Sequence, residues 1–274
     1  MPGMRRKVGT NMRDVVQHNQ RCWDRQSREG SRWCTPVDAE TIARARHGDW
    51  EVILTPCTPV PREWFGNLAD RDVLCLASGG GQQAPVLAAA GAKVTSFDLS
   101  AEQLARDRAV AEREGLEVTT IQGDMADLSC FQHESFDLIF HPISNVFVPD
   151  VRQVWRECHR VLRPGGTLLA GFMNPCFYLF DHDSLDEGGP LEVRFALPYS
   201  DLTSLDPERR RERMTRDLPL EFSHSLDDQI GGQIAAGFVI AGLYEDRWAD
   251  DATRLNPFMS TSIATRALKL RPGE

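Results

Sequence analysis

The sequence predicts an α/β fold in which a mostly parallel sheet is covered by helices on both faces. From about residue 66, strand-like and helix-like segments alternate strictly. The strand-like segments are short, near-continuous apolar runs, as expected of strands buried on both sides. One run, Val73-Leu74-Cys75-Leu76-Ala77, breaks directly into Ser78-Gly79-Gly80-Gly81-Gln82. Only residues without a Cβ let a backbone turn that sharply and approach a bulky partner closely.

In order along the chain, residues 1–65 read as an N-terminal helical cap. Val15-Val16-Gln17-His18-Asn19-Gln20-Arg21-Cys22-Trp23 carries apolar positions at helical spacing, and Asp38 can cap a second helix. The proline-rich segment Thr55-Pro56-Cys57-Thr58-Pro59-Val60-Pro61 cannot continue a helix and marks the end of the cap. Residues 66–172 form the core, with strands expected at 73–77, 94–97, 118–122, 138–141 and 167–172. Between the second and third strands, Ser100-Ala101-Glu102-Gln103 has the form of a capping box and Gly115 supplies a stop. At residues 173–217 the alternation gives way to Pro, Asp, Arg and aromatic residues, an insertion expected to form a mobile substrate lid. Residues 218–274 complete the sheet, with a short helix closing on Gly237 and strands expected at 239–244 and 260–267. The whole reads as one domain.

The chain has 274 residues and a formal net charge of -9, which works against indiscriminate nucleic-acid binding. The densest basic stretch, 206–213, is interspersed with acids and reads as a solvated helical face. Seven scattered cysteines without a C-x-x-C pair read as reduced thiols, an expectation that points to the cytoplasm. No apolar run is long enough to span a membrane, and residues 1–7 read as a frayed tail.

The glycine loop points to a nucleotide. About 20 residues beyond it, the second strand ends on Asp98, placed to accept hydrogen bonds from both hydroxyls of a ribose. The loop also satisfies the dinucleotide fingerprint as Gly79-x-Gly81-x-x-Ala84, so an NAD-dependent oxidoreductase stays open at this point. Later features shift the balance. The third strand ends in Gly123-Asp124-Met125, which puts a carboxylate and a backbone N–H where they can read an adenine ring. The fifth is introduced by Val161-Leu162-Arg163-Pro164-Gly165-Gly166.

In this order and spacing, residues 72–172 resemble the class I S-adenosylmethionine-dependent methyltransferases. The resemblance implies a Rossmann-like, doubly wound sheet of seven strands, one of them antiparallel near the end. It implies S-adenosylmethionine as cofactor, held by Ala77, Ser78, Gly79 and Gly81 against its methionine part, by Asp98 and Leu99 at the ribose, and by Gly123, Asp124 and Met125 at the adenine. One departure stands out. Where this family reads Asp-x-Gly-x-Gly-x-Gly, Cys75 replaces the acid and Ala77 the first glycine. A cofactor-binding protein without catalysis on the same fold therefore also remains open.

Methyl transfer needs the acceptor's lone pair in line with the S–CH₃ bond, and a base only where the acceptor keeps a proton. His141, at the end of the fourth strand, is the first candidate base and a cofactor contact, with a histidine that merely shapes the pocket wall as the competing reading. Asn145, Asn174, Tyr178, His182, His224 and Trp23 are the candidates to line a small-molecule acceptor pocket. Trp33 can also close over the site. No Asp, Glu and His cluster has metal-ligand spacing, so no metal is expected.

Overall fold

The computed structural model describes residues 12–250 and 252–273, so the tail expected at 1–7 lies outside the described residues. Two cap helices, α1 (Met12–Arg28) and α2 (Ala39–Arg46), precede the sheet. Then follow β1 (Asp72–Leu76), α3 (Gln83–Ala89), β2 (Lys93–Asp98), α4 (Ala101–Glu114), β3 (Val118–Gln122), β4 (Phe136–His141), α5 (Val151–Val161) and β5 (Leu162–Met173). The insertion holds α6 (His182–Asp186) and α7 (Pro207–Thr215). The chain ends with α8 (Gly232–Ala235), β6 (Phe238–Asp246) and β7 (Ser262–Lys269).

The strands form one sheet of order β3-β2-β1-β4-β5-β7-β6. Only β7 runs antiparallel to its neighbours. The period-two alternation of β1 and β4 serves two cores. Val73, Cys75 and Phe140 pack with Ile42, Leu54 and Leu87 on one face. Leu74, Leu76 and Ile139 pack with Trp155 and Leu168 on the other.

The expected local signals act as read, except that the capping box is half made: the Ser100 N–H goes to Asp98 and not to the Gln103 side chain. Asp38 accepts from the Thr41 N–H, Ser100 accepts from the Gln103 N–H, and Gly115 adopts φ 64°. β5 starts earlier than expected, at Leu162, because the Arg163-Pro164-Gly165-Gly166 stretch is itself part of the strand. The Arg163 guanidinium lies 2.8 Å from Asp72 and 2.9 Å from Asp137, which ties the starts of β1, β4 and β5 together. The basic stretch forms α7, capped by Asp206, but it is not simply a solvated face. Arg209 and Arg213, one turn apart, point inward, and the Arg213 side chain is only 18% exposed.

Gly171 positions the site. A Cβ there would lie 2.2 Å from the Leu54 carbonyl, so only glycine lets the cap segment cross β5 this closely. Thr55 and Pro56 are thereby delivered to the sheet edge where β1, β2 and β4 end.

Candidate active site

At that edge Ala77 begins the loop in the left-handed region, at φ 48°, and donates its N–H to the Phe97 carbonyl at 2.7 Å. For a residue with a Cβ this costs roughly 1–2 kcal/mol, and strain of this kind collects at ligand sites. Asp98 accepts from the Gly79 N–H at 3.0 Å and from the Ser100 N–H at 2.9 Å. Each carboxylate oxygen keeps a lone pair for a further donor. Burial pushes this carboxyl up to about 6. Behind the loop, fully buried Asp107 accepts from the Gly81 N–H at 2.7 Å and from the Ser96 hydroxyl at 2.6 Å. Burial pushes it up to about 7.

The loop opens onto a cavity of about 450 Å³, within the roughly 300–1,000 Å³ of ligand sites. Ala77, Ser78, Gly79, Asp98, Leu99, Asp124 and Met125 line one side. Ser78 Oγ and Gln103 Oε1 are buried there with no hydrogen-bond partner beyond the neighbouring thiols of Cys75 and Cys34. Buried polar atoms are rarely left in this state without a ligand or water. Asp124 accepts from the Ala126 N–H at 3.0 Å, and burial raises its pKa.

The opposite wall comes from distant parts of the chain. Met12, Val16, Asn19 and Trp23 of α1 face the cavity at helical spacing, and Trp23 meets Phe147 edge-on at 5.1 Å. Asn19 pins the helix: its amide donates to the Phe147 and Leu220 carbonyls at 3.0 and 3.1 Å and accepts from the Leu220 N–H at 2.8 Å. Trp33 and Trp248 lie 5.5 Å apart with the Arg32 guanidinium over both rings. The Tyr178 hydroxyl donates to Glu221 at 2.9 Å, and Arg213 donates to the other Glu221 oxygen at 3.1 Å. Asp201 accepts from the Glu221 N–H at 2.8 Å and from the Tyr199 hydroxyl at 2.5 Å.

The comparisons with known proteins agree with this geometry. The methyltransferase domain family matches residues 74–170. The uncharacterized methyltransferase YbaJ of Bacillus subtilis (strain 168) is 46% identical over 259 residues, covering 94% of this chain and 100% of its own. The chain belongs to the class I S-adenosylmethionine-dependent methyltransferases. A ubiquinone biosynthesis O-methyltransferase of Pseudomonas syringae pv. tomato (strain ATCC BAA-871 / DC3000) is 34% identical over 127 residues, 44% of this chain and 55% of that one. The Burkholderia thailandensis 1,6-didemethyltoxoflavin-N1-methyltransferase, solved with 1,6-didemethyltoxoflavin and S-adenosylhomocysteine, superposes with a TM-score of 0.58 at 14% identity, over 95% of this chain and 91% of its own.

The methyltransferase uses S-adenosylmethionine, and the oxidoreductase alternative falls. Besides the family match, a dinucleotide fold carries strand order 3-2-1-4-5-6, whereas here antiparallel β7 is inserted between β5 and β6. The non-catalytic alternative falls with the same family match.

Several expected contacts lie elsewhere. His141 is fully buried with its Nδ1 2.9 Å from the Leu76 carbonyl and its ring edge-on to Trp155, outside the cavity lining. Burial pushes it down to about 4. It sits on the core side of β4 because period two turns residue 141 the same way as Ile139. Gly81 and Gly123 also lie behind the lining. A Cβ at Gly123 would meet the Phe97 ring at 2.2 Å, so that glycine serves packing.

Asn145 pairs its amide with Gln229, and the Asn145 carbonyl lies 3.0 Å from the His224 Nε2. Both are spent on holding the chain after β4 against the segment before α8. Asn174 caps the turn after β5 and donates to the Ser260 carbonyl. His182 stacks on Phe177 at 3.7 Å and lines a neighbouring cavity rather than the first. Cys75 is buried among core residues and offers no carboxylate to the cavity.

Sequence reasoning missed Glu221, Trp248, Asn19 and Thr55 as lining residues. Only Asn19 had a readable signal, its place four residues before Trp23 on an amphipathic helix. Among the described residues, His18, Cys22 and Asp217 bring ligand-type atoms within 4.8 Å. Burial pushes that thiol up to about 11, against the thiolate a metal needs.

Proposed function

We propose that this methyltransferase acts on a small molecule seated against the aromatic wall of α1, Phe147, Tyr178 and Trp248. The observation that carries the reading is the cavity itself: about 450 Å³, lined largely by apolar and aromatic side chains that include Trp23, Phe147 and the Trp33–Trp248 pair. The net charge of -9 disfavours a nucleic-acid acceptor. The relative named as a ubiquinone biosynthesis O-methyltransferase and the structural neighbour solved with 1,6-didemethyltoxoflavin support the same class.

The residues present fit the cofactor. Asp98 has lone pairs for two ribose hydroxyls, Asp124 and Met125 flank the adenine position, and the loop cradles the amino-acid end with Ser78 Oγ and Gln103 Oε1 in place of the missing acid. When bound, S-adenosylmethionine supplies an electrophilic methyl group. The chain supplies orientation and exclusion of water, which account for much of such an acceleration.

The test is to incubate the protein with methyl-labelled S-adenosylmethionine and separated fractions of a bacterial extract. Label is expected in the small-molecule fraction. Label confined to RNA or protein overturns the reading.

A further inference from the structure

We infer that Glu221 is the proton acceptor of the transfer, and that the methyl acceptor carries its proton on an oxygen or nitrogen placed against the Tyr178–Glu221 pair. The inference rests on the small-molecule reading above and deepens it.

Tyr178 and Glu221, with Phe177 and Trp248, line both the cofactor cavity and an adjoining cavity of about 360 Å³. They stand at the junction of the two. The carboxylate is aimed by neighbours from separate elements: the Tyr178 hydroxyl on one oxygen, Arg213 of α7 on the other, and its own N–H on Asp201. Each oxygen keeps a lone pair, and the 28% of the side chain that is exposed faces the cavities.

The other titratable groups are otherwise engaged. His141 is in the core, His224 lines neither cavity, and His182, which lines the second, has its Nε2 2.7 Å from the Phe177 carbonyl. Asp150 caps α5. Asp98 and Asp124 belong to the nucleotide side.

The charged and titratable groups that face Glu221 are Tyr178, Tyr199, Asp201, Asp183 and Arg213. Burial and the neighbouring acids raise its proton affinity above that of an ordinary glutamate, while Arg213 opposes them. A carboxylate so placed suits general-base work near neutrality better than a solvated one. As the acceptor's lone pair takes the methyl group, its bond to the sulfonium breaks and leaves a neutral thioether. The acceptor's proton passes to Glu221, directly or with Tyr178 handing on its own, so atoms and charge balance.

The experiment measures initial label transfer from methyl-labelled S-adenosylmethionine into the small-molecule extract as a function of pH, alongside calorimetry of S-adenosylhomocysteine binding. Glu221→Gln is expected to slow transfer by about 10²–10⁴-fold and to lose the acid limb of the profile, with S-adenosylhomocysteine affinity within twofold of the parent. Glu221→Asp, which keeps a charge toward Arg213 and guards against a folding loss, is expected to recover part of the rate together with the limb. Parent-like transfer in Glu221→Gln overturns the inference, as does a loss of rate with the acid limb intact or with a parallel loss of affinity. A parent protein that labels nothing in the extract overturns the reading beneath it instead, and the inference with it.

Discussion

The two walls of the cavity are built in different ways. The nucleotide wall is local: residues 77–126 supply it from three consecutive strand ends, with backbone N–H groups and the buried carboxylates of Asp98 and Asp107 setting the loop. The opposite wall, where we place the acceptor, is assembled from residues 12–33, 143–149, 173–178, 221 and 248, which meet only after the chain has folded. The first can hold one cofactor while the second changes its chemistry. The price is coupling, because α1, the insertion and the β6–β7 connection share the same contacts.

The contrast is open to direct attack, beginning with its strongest element. Asp98→Ala removes the carboxylate we place against two ribose hydroxyls, each such bond worth roughly 1.5–3 kcal/mol. Calorimetry should show S-adenosylhomocysteine binding weakened at least tenfold with the fold retained. Parent affinity would remove Asp98 from the ribose.

The next effect is on stability against pH. Asp107 has its folded pKa raised from 3.8 to about 7. Its contribution is therefore complete below about 3.8 and is lost as pH rises through about 7. Asn at this position can accept from Gly81 and donate to the Ser96 hydroxyl, so Asp107→Asn should fold and show a flatter decline of thermal stability from pH 4 to 8. An unchanged slope would place the titration elsewhere; Asp98, raised to about 6, keeps a residual slope in either protein.

Asn19→Ala attacks the assembled wall. It leaves the buried Leu220 N–H without its acceptor, a loss of roughly 1–3 kcal/mol. Hydrogen exchange should quicken in α1 and around Leu220 together while the glycine loop stays protected. Loss of protection confined to α1 would show that the two segments are not coupled. The smallest effect is expected from Arg28→Ala, which removes an exposed pair between α1 and Glu102 of α4 at 3.1 Å. Denaturant unfolding should register at most about 1 kcal/mol.

The same division explains what the sequence disclosed. The strands, the caps at Asp38 and Ser100, the glycine loop and Asp98 are encoded over windows of a few residues, where periodicity and turn chemistry act. His141 was misread for a related reason: the end of a strand could be read, but not which face its last side chain takes. Glu221 and Trp248 carry no local signal. Glu221 owes its place to Arg213 turning inward from a helix whose sequence looks fully solvated, and Trp248 to meeting Trp33 and Arg32 from far along the chain.

The indole pair of Trp33 and Trp248 has an optical consequence. Of the six tryptophans, Trp23, Trp33 and Trp248 line the cavity, and the last two share one guanidinium. Filling the cavity changes the polarity around these fluorophores and leaves buried Trp155 as an internal reference. The intrinsic emission of the unlabelled protein should therefore report occupancy, and Trp33→Phe and Trp248→Phe would assign the signal to the segment that senses each ligand.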